Sequence, residues 1–294
     1  MNGLLAALKA ERPLQIAGAI NAYAALLAED AGFRALYLSG AGVANAAFGL
    51  PDLAMTTLSE VVAEARRITA ATGLPLLVDV DTGFGDGLAI ERMVREMTAA
   101  GVAAVHLEDQ VSAKRCGHRL GKALVSEAEM ADRIAAAVAA RGAGNLAIMA
   151  RTDALAAEGL ERAVQRCAAY AAAGADAIFF EAATGLDQYR RAADAAGVPI
   201  LANMTEFGVS PLFTLNELGA HGVAMVLYPL TAFRAMSHAA QRAYRVLREQ
   251  GGQHTVLGEL QTRAELYRVL NYAAYEERMD QLLARQRDRE ERDE

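Results

Sequence analysis

The sequence predicts a (β/α)8 barrel, and three observations lead to this fold class. Eight short apolar runs recur along the chain, amphipathic alanine-rich segments of helical length separate most of them, and no run is followed by a Gly-x-Gly-x-x-Gly motif. Parallel strands that are buried on both faces are almost continuously apolar, and a barrel needs eight of them. A doubly wound open sheet is the alternative, but the strand count and the missing dinucleotide-binding motif favour the barrel.

The apolar runs give the order of the predicted strands, which are residues 14–20, 35–40, 75–81, 103–109, 146–152, 177–182, 199–205 and 222–229. Residues 58–73 illustrate the helices between them, because their apolar side chains recur with the spacing of one helical face. Residues 230–252 predict a further helix. We expect one barrel domain over residues 1–294, with a C-terminal helical extension at 259–286 and a charged, disordered tail at 287–294.

Composition excludes several classes of protein. The net charge of -7 and the lack of a basic stripe argue against nucleic-acid binding. No apolar run reaches the roughly 18 residues of a membrane span, and the opening residues show no charged leader, so we expect a cytoplasmic protein without membrane contact. Cys116 and Cys167 are the only cysteines, which does not suggest a disulfide framework.

Polar side chains close most of the predicted strands. They are Ser39 and Gly40, Asp79 and Asp81, Glu108 and Asp109, Arg151 to Asp153, Glu181, and Asn203 to Glu206. Helix capping would explain Ser39 or Asp153 alone. The carboxyl ends of barrel strands meet at one rim, so the whole set predicts a polar pocket there.

Asp79 and Asp81 predict a metal site within this pocket. Residues two apart on a strand point to the same face, with a backbone separation of about 6–7 Å. Two carboxylates so close need a cation, and Mg2+ is commonly held by a few carboxylates with water and substrate. Glu108, at the end of the next strand, could complete the site. An ion pair with a barrel Arg or Lys is the alternative, and no His/Cys cluster has the spacing of a zinc site.

The segment EDQVSAKRCGHRLGKALVS, residues 108–126, predicts a reactive thiol. Cys116 lies beside Arg115 and near Lys114 and His118, and neighbouring cations lower the pKa of a thiol. Its flanking glycine would let a loop fold over a ligand. Cys167, on a helical segment, is expected to be a buried, inert thiol.

Three arginines indicate a polyanionic ligand. Arg151 ends a predicted strand, Arg234 begins the helix after the eighth strand, and Arg263 precedes the C-terminal helical stretch. Arginine binds carboxylates through two parallel hydrogen bonds. A surface position without function is the simpler explanation for Arg263 alone.

The motifs SGAG, VDVDTGFG, LEDQ, KRCGH, MARTDA, FFEA, NMTEFG and LYPL occur here in order. With them the chain resembles the isocitrate lyase and phosphoenolpyruvate mutase superfamily from about residue 10 to residue 285, and it is most similar to the branch that cleaves 2-methylisocitrate. The resemblance implies a (β/α)8 barrel whose eighth helix is exchanged with a neighbouring subunit, in a homotetramer built from dimers. It also implies Mg2+ and a carbon-carbon lyase that releases pyruvate and succinate, in the methylcitrate cycle of propionate catabolism.

The resemblance assigns roles to individual residues. Asp79 and Asp81 would bind Mg2+ with support from Glu108, Cys116 would be the catalytic acid, and Tyr37 is a candidate for the first proton transfer. Substrate contacts would come from Ser39, Gly40, Ala41, Gly117, Arg151, Glu181, Asn203, Met204, Thr205, Arg234 and Arg263. Phe179 and Leu227 would line an apolar niche for the extra methyl group. The chain departs from the family pattern at Ala41, where a glycine is usual, and at Phe180, where proline is usual.

Other activities on the same fold stay open at this point. A 2,3-dimethylmalate lyase and a phosphonomutase acting on carboxyphosphonoenolpyruvate can also carry a Cys-Gly-His loop. The branch that acts on oxaloacetate generally lacks the thiol, so Cys116 argues against it. A catalytically silent carboxylate-binding protein would not need both a carboxylate pair and a loop thiol.

Overall fold

The computed structural model describes residues 3–114 and 121–293. Within them, eight parallel strands form a closed barrel in which each strand pairs with the next and β8 pairs with β1. The strands are β1 Leu14–Gly18, β2 Ala35–Leu38, β3 Leu76–Asp79, β4 Ala104–Glu108, β5 Ala147–Thr152, β6 Ala177–Phe180, β7 Ile200–Asn203 and β8 Val223–Tyr228. The predicted (β/α)8 barrel is confirmed, and each strand lies within its predicted range.

Helices alternate with the strands. They are α1 Gly3–Ala10, α2 Ala22–Asp30, α3 Gly40–Phe48, α4 Leu58–Ala71, α5 Gly87–Ala99, α6 Glu127–Arg141, α7 Ala154–Glu158, α8 Leu160–Ala172, α9 Leu186–Ala196, α10 Leu215–Ala220, α11 Thr231–Gln250, α12 Arg263–Val269 and α13 Tyr272–Asp293. Helix α4 shows how the sequence sets a boundary, because the Thr57 side chain and the Glu60 side chain each accept from the other's backbone N–H.

Two apolar layers hold the barrel. The outer layer lies between the strands and the helices, and in α4 it takes the buried face of Val61, Val62, Ala65 and Ile68. The inner layer fills the barrel with apolar side chains from all eight strands, below the polar side chains of the rim. Leu4 and Leu8 of α1 also belong to this layer. A filled interior leaves the carboxyl-terminal rim as the place for a binding site.

The described chain forms two units that divide after Ala235, within α11. The first unit contains the barrel. The second contains the rest of α11, a 3-10 helix at His254–Glu259, α12 and α13. Within the second unit Arg242 pairs with Glu259 at 2.6 Å, and the Tyr267 and Tyr272 rings stack with their centroids 4.3 Å apart. Helix α13 includes residues 287–293, for which charged composition predicted disorder. The predicted domain boundaries stay predictions.

Strand register brings the rim residues side by side. The pairing of β3 with β4 sets Asp79 beside His106. The pairing of β4 with β5 sets Glu108 beside Arg151, and Arg151 in turn lies beside Phe179 of β6. These neighbours all lie near the carboxyl ends of their strands, so the register alone gathers one histidine, three charged groups and an aromatic ring.

Candidate active site

A cavity of about 250 Å³ opens at the carboxyl-terminal rim of the barrel. Residues from seven strand ends and the loops that follow them line it: Tyr37, Ser39, Ala41, Asp52, Asp79, Glu108, Lys114, Arg151, Glu181, Asn203, Thr205, Glu206, Phe207, Gly208, Pro229, Leu230 and Arg234. Twelve of the residues singled out from the sequence are therefore in its wall: Tyr37, Ser39, Ala41, Asp79, Glu108, Lys114, Arg151, Glu181, Asn203, Thr205, Glu206 and Arg234.

Asp79 is held from several sides. Its Oδ2 accepts from the Gly40 backbone N–H at 3.1 Å and from the Tyr37 hydroxyl at 3.4 Å, while its Oδ1 accepts from the Asp81 N–H at 3.2 Å. Burial alone would raise the pKa of Asp79, but the nearby basic groups of His106, Lys114 and Arg151 lower it to about 2. Asp79 is therefore a carboxylate at any physiological pH.

Asp81 lies just beyond the end of β3 and not on the strand, which corrects the strand-spacing argument. Its φ of 49° is left-handed, a conformation that aspartate tolerates better than most residues. Burial and the charge of Asp79 raise the pKa of Asp81 to about 6. The two carboxylates still converge, because a Cβ atom built on Gly40 would lie 3.2 Å from Asp79 Oδ2 and 3.3 Å from Asp81 Oδ1.

Lys114 supplies the cation nearest to this pair. Its Nζ lies 2.5 Å from Asp81 Oδ1 and 2.7 Å from Asp52 Oδ1. Burial alone would lower the pKa of Lys114, but Asp79, Asp81 and Glu108 raise it, so the ammonium group stays charged. The ion pair proposed as the alternative to a metal is thus present at Asp81, while Asp79 has no direct ion pair with a lysine or arginine in the described part of the chain.

The donor set fits Mg2+ better than a metal that needs a preformed cage. Among the described residues, no group of three or more His, Cys, Asp or Glu side chains is arranged to hold a metal by itself. Mg2+ is typically held by one or two carboxylates, with water and substrate completing its ligands. Glu108 provides a second indication, since its Oε1 is buried and has no hydrogen-bond partner among the described residues. Asp79, Asp81 and Glu108 could hold such an ion.

Arg151 lies among three carboxylates. Its guanidinium donates to Asp153 from Nε at 3.0 Å and from Nη2 at 3.2 Å, and it lies 3.4 Å from Glu108 and 3.5 Å from Glu181. The Phe179 ring lies under it, with the centroid 5.0 Å from Cζ. Burial alone would lower the pKa of Arg151, but these carboxylates raise it further, so it stays charged.

The far side of the cavity contains a second arginine. Arg234 Nε lies 3.4 Å from Glu206 Oε2, and its guanidinium lies over the Phe207 ring at 5.5 Å. Asn203 Nδ2 donates to Glu181 at 3.3 Å. The cavity thus presents cations at two sides, Arg151 and Arg234, with amide and carboxylate groups between them, and this arrangement can bind a small molecule with several carboxylates.

His106 was overlooked at the sequence level. Its side chain is fully buried, Nε2 lies 3.0 Å from the Tyr37 hydroxyl and 3.6 Å from Asp79 Oδ1, and its ring stacks on Tyr37. Burial lowers the pKa of His106 to about 4, so the ring is neutral. The available signal was its position two residues before Glu108 on β4, which places both side chains on one face of the strand. Asp52 gave no such signal.

The structure places the other predicted residues as follows. Gly40 begins α3 beside the two aspartates, and Ser39 caps that helix by accepting from Gly42 N–H at 3.2 Å. Met204 is buried, and Phe179 and Leu227 are fully buried in the inner apolar layer, so these three do not line the cavity. Arg263 begins α12 of the second unit and is exposed. Cys116 and Gly117 lie outside the described residues.

Two remaining expectations can be compared with the structure. Burial raises the pKa of the Cys167 thiol to about 12, which agrees with an inert cysteine. No helix among the described residues has the length and apolar character required to cross a membrane.

Comparison with known proteins agrees with the geometry. Residues 5–248 match the family model described as phosphoenolpyruvate phosphomutase. A 2-methylisocitrate lyase of Shewanella oneidensis is 58% identical over 278 residues, covering 95% of both chains.

Solved structures show the same fold. A 2,3-dimethylmalate lyase superposes with a TM-score of 0.88 at 33% identity, covering 96% of both chains. A phosphonopyruvate hydrolase in complex with oxalate and Mg2+ superposes with a TM-score of 0.82 at 31% identity, covering 96% of this chain and 97% of that one.

Proposed function

Because the chain belongs to the phosphoenolpyruvate phosphomutase family, we propose that it is a carbon-carbon lyase that cleaves 2-methylisocitrate to pyruvate and succinate. The observation that carries the proposal is the rim cavity, whose wall contains the Asp79 carboxylate, with Asp81 close to it, and the Arg151 guanidinium with its neighbouring carboxylates. The 58% identity to a 2-methylisocitrate lyase over nearly the whole chain supports this substrate over those of the less similar relatives.

Asp79, Asp81 and Glu108 would hold Mg2+ in this proposal. The bound ion would lower the pKa of the substrate hydroxyl and stabilise the alkoxide charge from which the pyruvate carbonyl forms. Support comes from the convergence of the two aspartates, from the unpartnered Glu108 Oε1, and from the Mg2+ in the phosphonopyruvate hydrolase structure.

Substrate carboxylates would be bound by Arg151 and Arg234, with backbone and side-chain donors completing the contacts. Ser39, Gly40 and Ala41 lie at the N-terminus of α3, where the helix dipole favours an anion. Glu181, Asn203, Met204, Thr205, Gly117 and Arg263 are the other proposed contacts. Phe179 would act chiefly by supporting the Arg151 guanidinium, and Leu227 by packing in the inner apolar layer. Because both side chains are buried, the proposed methyl niche would form only if they shift.

The first proton transfer moves the substrate hydroxyl proton to one of the carboxylates that line the cavity. Burial raises the pKa of Tyr37 well above its ordinary value, so its phenol is neutral and is a poor base by itself. We place it as a partner whose hydroxyl would turn from Asp79 to donate to the reacting oxygen, while its position is fixed by His106 at 3.0 Å. A fixed donor at the oxygen where charge develops favours the transition state.

The second proton transfer completes the cleavage. When the C–C bond breaks, the succinate half takes the electron pair and needs one proton at carbon. Cys116 would donate it as the general acid, because the sequence places cations on both sides of this thiol. Lys114 and Lys122, which flank the segment, are both bound to carboxylates at the rim.

The proposal extends to assembly and context. Helix α11 follows β8, is 20 residues long, and has no buried side chain among those described. Exchange of this helix between subunits would cover its apolar face, and we propose a homotetramer built from two such dimers. We also place the reaction in the cytoplasm, as a step of the methylcitrate cycle of propionate catabolism, and cell fractionation tests that location.

A substrate panel tests the proposed activity. Pyruvate release should be followed with 2-methylisocitrate, isocitrate, 2,3-dimethylmalate and oxaloacetate, each with Mg2+ and with excess chelator. We expect 2-methylisocitrate to have the highest kcat/KM and to lose turnover in chelator. Higher kcat/KM for 2,3-dimethylmalate would transfer the assignment to that lyase.

A further inference from the structure

The Asp153 side chain binds a residue of the candidate site and does not cap the helix that follows it. It stands at the N-cap position of α7, yet its carboxylate makes no capping hydrogen bond. Its Oδ2 accepts from Arg151 Nε at 3.0 Å and its Oδ1 from Arg151 Nη2 at 3.2 Å. Helix capping, the simpler explanation offered by the sequence, is therefore wrong for Asp153. Its carboxylate instead accepts two hydrogen bonds from one guanidinium.

Lys122 binds the same carboxylate, at an oxygen that Arg151 also binds. Its Nζ donates to Asp153 Oδ1 at 2.7 Å, and the two side chains are 2% and 0% exposed. The Asp153 backbone N–H also donates to Asp109 Oδ1 at 2.9 Å. Asp153 thus binds two cations, of which Arg151 lines the cavity and Lys122 does not.

The charges around Arg151 explain why a cation at Lys122 matters for the site. The Arg151 guanidinium lies within 3.5 Å of Asp153, Glu108 and Glu181. Three carboxyl groups therefore share this one cation, which leaves less of its positive charge for an incoming carboxylate. Charges a few ångströms apart in a buried site interact strongly, so one additional cation at Asp153 changes the balance substantially.

We propose that Asp153 and Lys122 form a positioning pair for Arg151. Asp153 fixes the direction of the guanidinium, and Lys122 neutralises Asp153 so that Arg151 keeps its positive charge available for a substrate carboxylate. This inference rests on the proposed function, in which Arg151 binds substrate, and it adds two residues that do not contact the substrate themselves.

Charge substitutions test the pair. Lys122→Met should raise KM for 2-methylisocitrate at least tenfold and change kcat less than threefold, because an interaction made equally in the ground and transition states affects KM alone. Adding Asp153→Asn to Lys122→Met should lower KM again by at least threefold, since it removes the uncompensated carboxylate. Lys122→Arg should keep KM within threefold of wild type.

Structural damage would give a different pattern. Loss of folded enzyme lowers the apparent kcat and leaves KM unchanged. Arg141→Met is the matched control, because it removes a cation paired with Asp176 at the amino-terminal end of β6, outside the cavity. We expect it to lower the melting temperature without changing KM. Should Lys122→Met fail to fold, Lys122→Gln, which loses the charge and keeps a donor, takes its place.

The outcomes separate this inference from the proposed function. If the Lys122→Met variant has the kcat and the KM of the wild type, the positioning pair is overturned and the proposed function is not. A double variant with a KM equal to or above that of Lys122→Met also overturns it, since the negative charge would then not be the cause. A wild-type enzyme that does not cleave 2-methylisocitrate overturns the proposed function, and the pair with it.

Discussion

Gly40→Ala should weaken Mg2+ binding without disturbing the fold. The new methyl carbon would lie 3.2 Å from Asp79 Oδ2, 3.3 Å from Asp81 Oδ1 and 3.4 Å from Asp79 Cγ, so both carboxylates would have to move by a few tenths of an ångström. Asp79 cannot move freely, because Tyr37, Gly40 and Asp81 all donate to it. Mg2+ requires its oxygen ligands at about 2.0–2.1 Å in near-ideal octahedral geometry.

We expect the Mg2+ affinity of this variant to fall by roughly 10–100-fold, the usual effect of disturbing groups that orient metal ligands. Calorimetric titration with Mg2+ and the Mg2+ concentration for half-maximal turnover would both report it. Gly73→Ala is the matched control, since a Cβ there meets nothing within 4 Å and the backbone is not left-handed. Equal Mg2+ affinity in the two variants would refute the assignment of the metal to the Asp79 and Asp81 carboxylates.

Three further predictions concern the acid, the fold and the assembly. Cys116→Ser should reduce kcat by more than about a thousandfold, a loss in the range expected for removing a positioned acid, and leave Mg2+ and pyruvate binding intact in calorimetry; surviving turnover would exclude the thiol as the acid. Arg166→Met should cost about 3 kcal/mol and lower Tm by roughly 6–12 °C in thermal melts, because buried Arg166 holds Glu158 at 2.7 Å, Tyr170 at 2.8 Å and Val125 O at 3.0 Å; an unchanged Tm would contradict this. Tyr244→Glu, on the exposed face of α11, should reduce the mass in light scattering from a tetramer towards the 31.1 kDa monomer; a mass equal to wild type would argue against helix exchange there.

The fold could be predicted because the spacing of apolar residues in strands and helices is visible in a single sequence. Strands buried on both faces must be apolar throughout, and the helix over 58–71 needs one apolar stripe and a capping box, so both elements are visible without tertiary information. The rim location of polar residues follows from the parallel arrangement of the strands. Most of the polar side chains at the rim, from Asp79 to Arg234, could therefore be identified from the sequence.

Contacts between distant loops could not be predicted in the same way. Lys114 reaches Asp52 across 62 residues of sequence, and Lys122 reaches Asp153 across 31. Nothing local distinguishes these lysines from solvated ones. His106 has apolar neighbours in the sequence, yet its partner Asp79 comes from the adjacent strand β3 and its partner Tyr37 from β2. The left-handed turn at Asp81 also required the structure, since the sequence alone suggested a continuous strand.

The central claim is C–C cleavage in which the succinate carbon takes the electron pair and then one proton. It is tested most directly by NMR of the products formed from 2-methylisocitrate and Mg2+ in deuterated water. The account predicts equimolar pyruvate and succinate, with one deuterium in each succinate and none in the pyruvate methyl group. Intact substrate, or succinate that carries no deuterium, would contradict it.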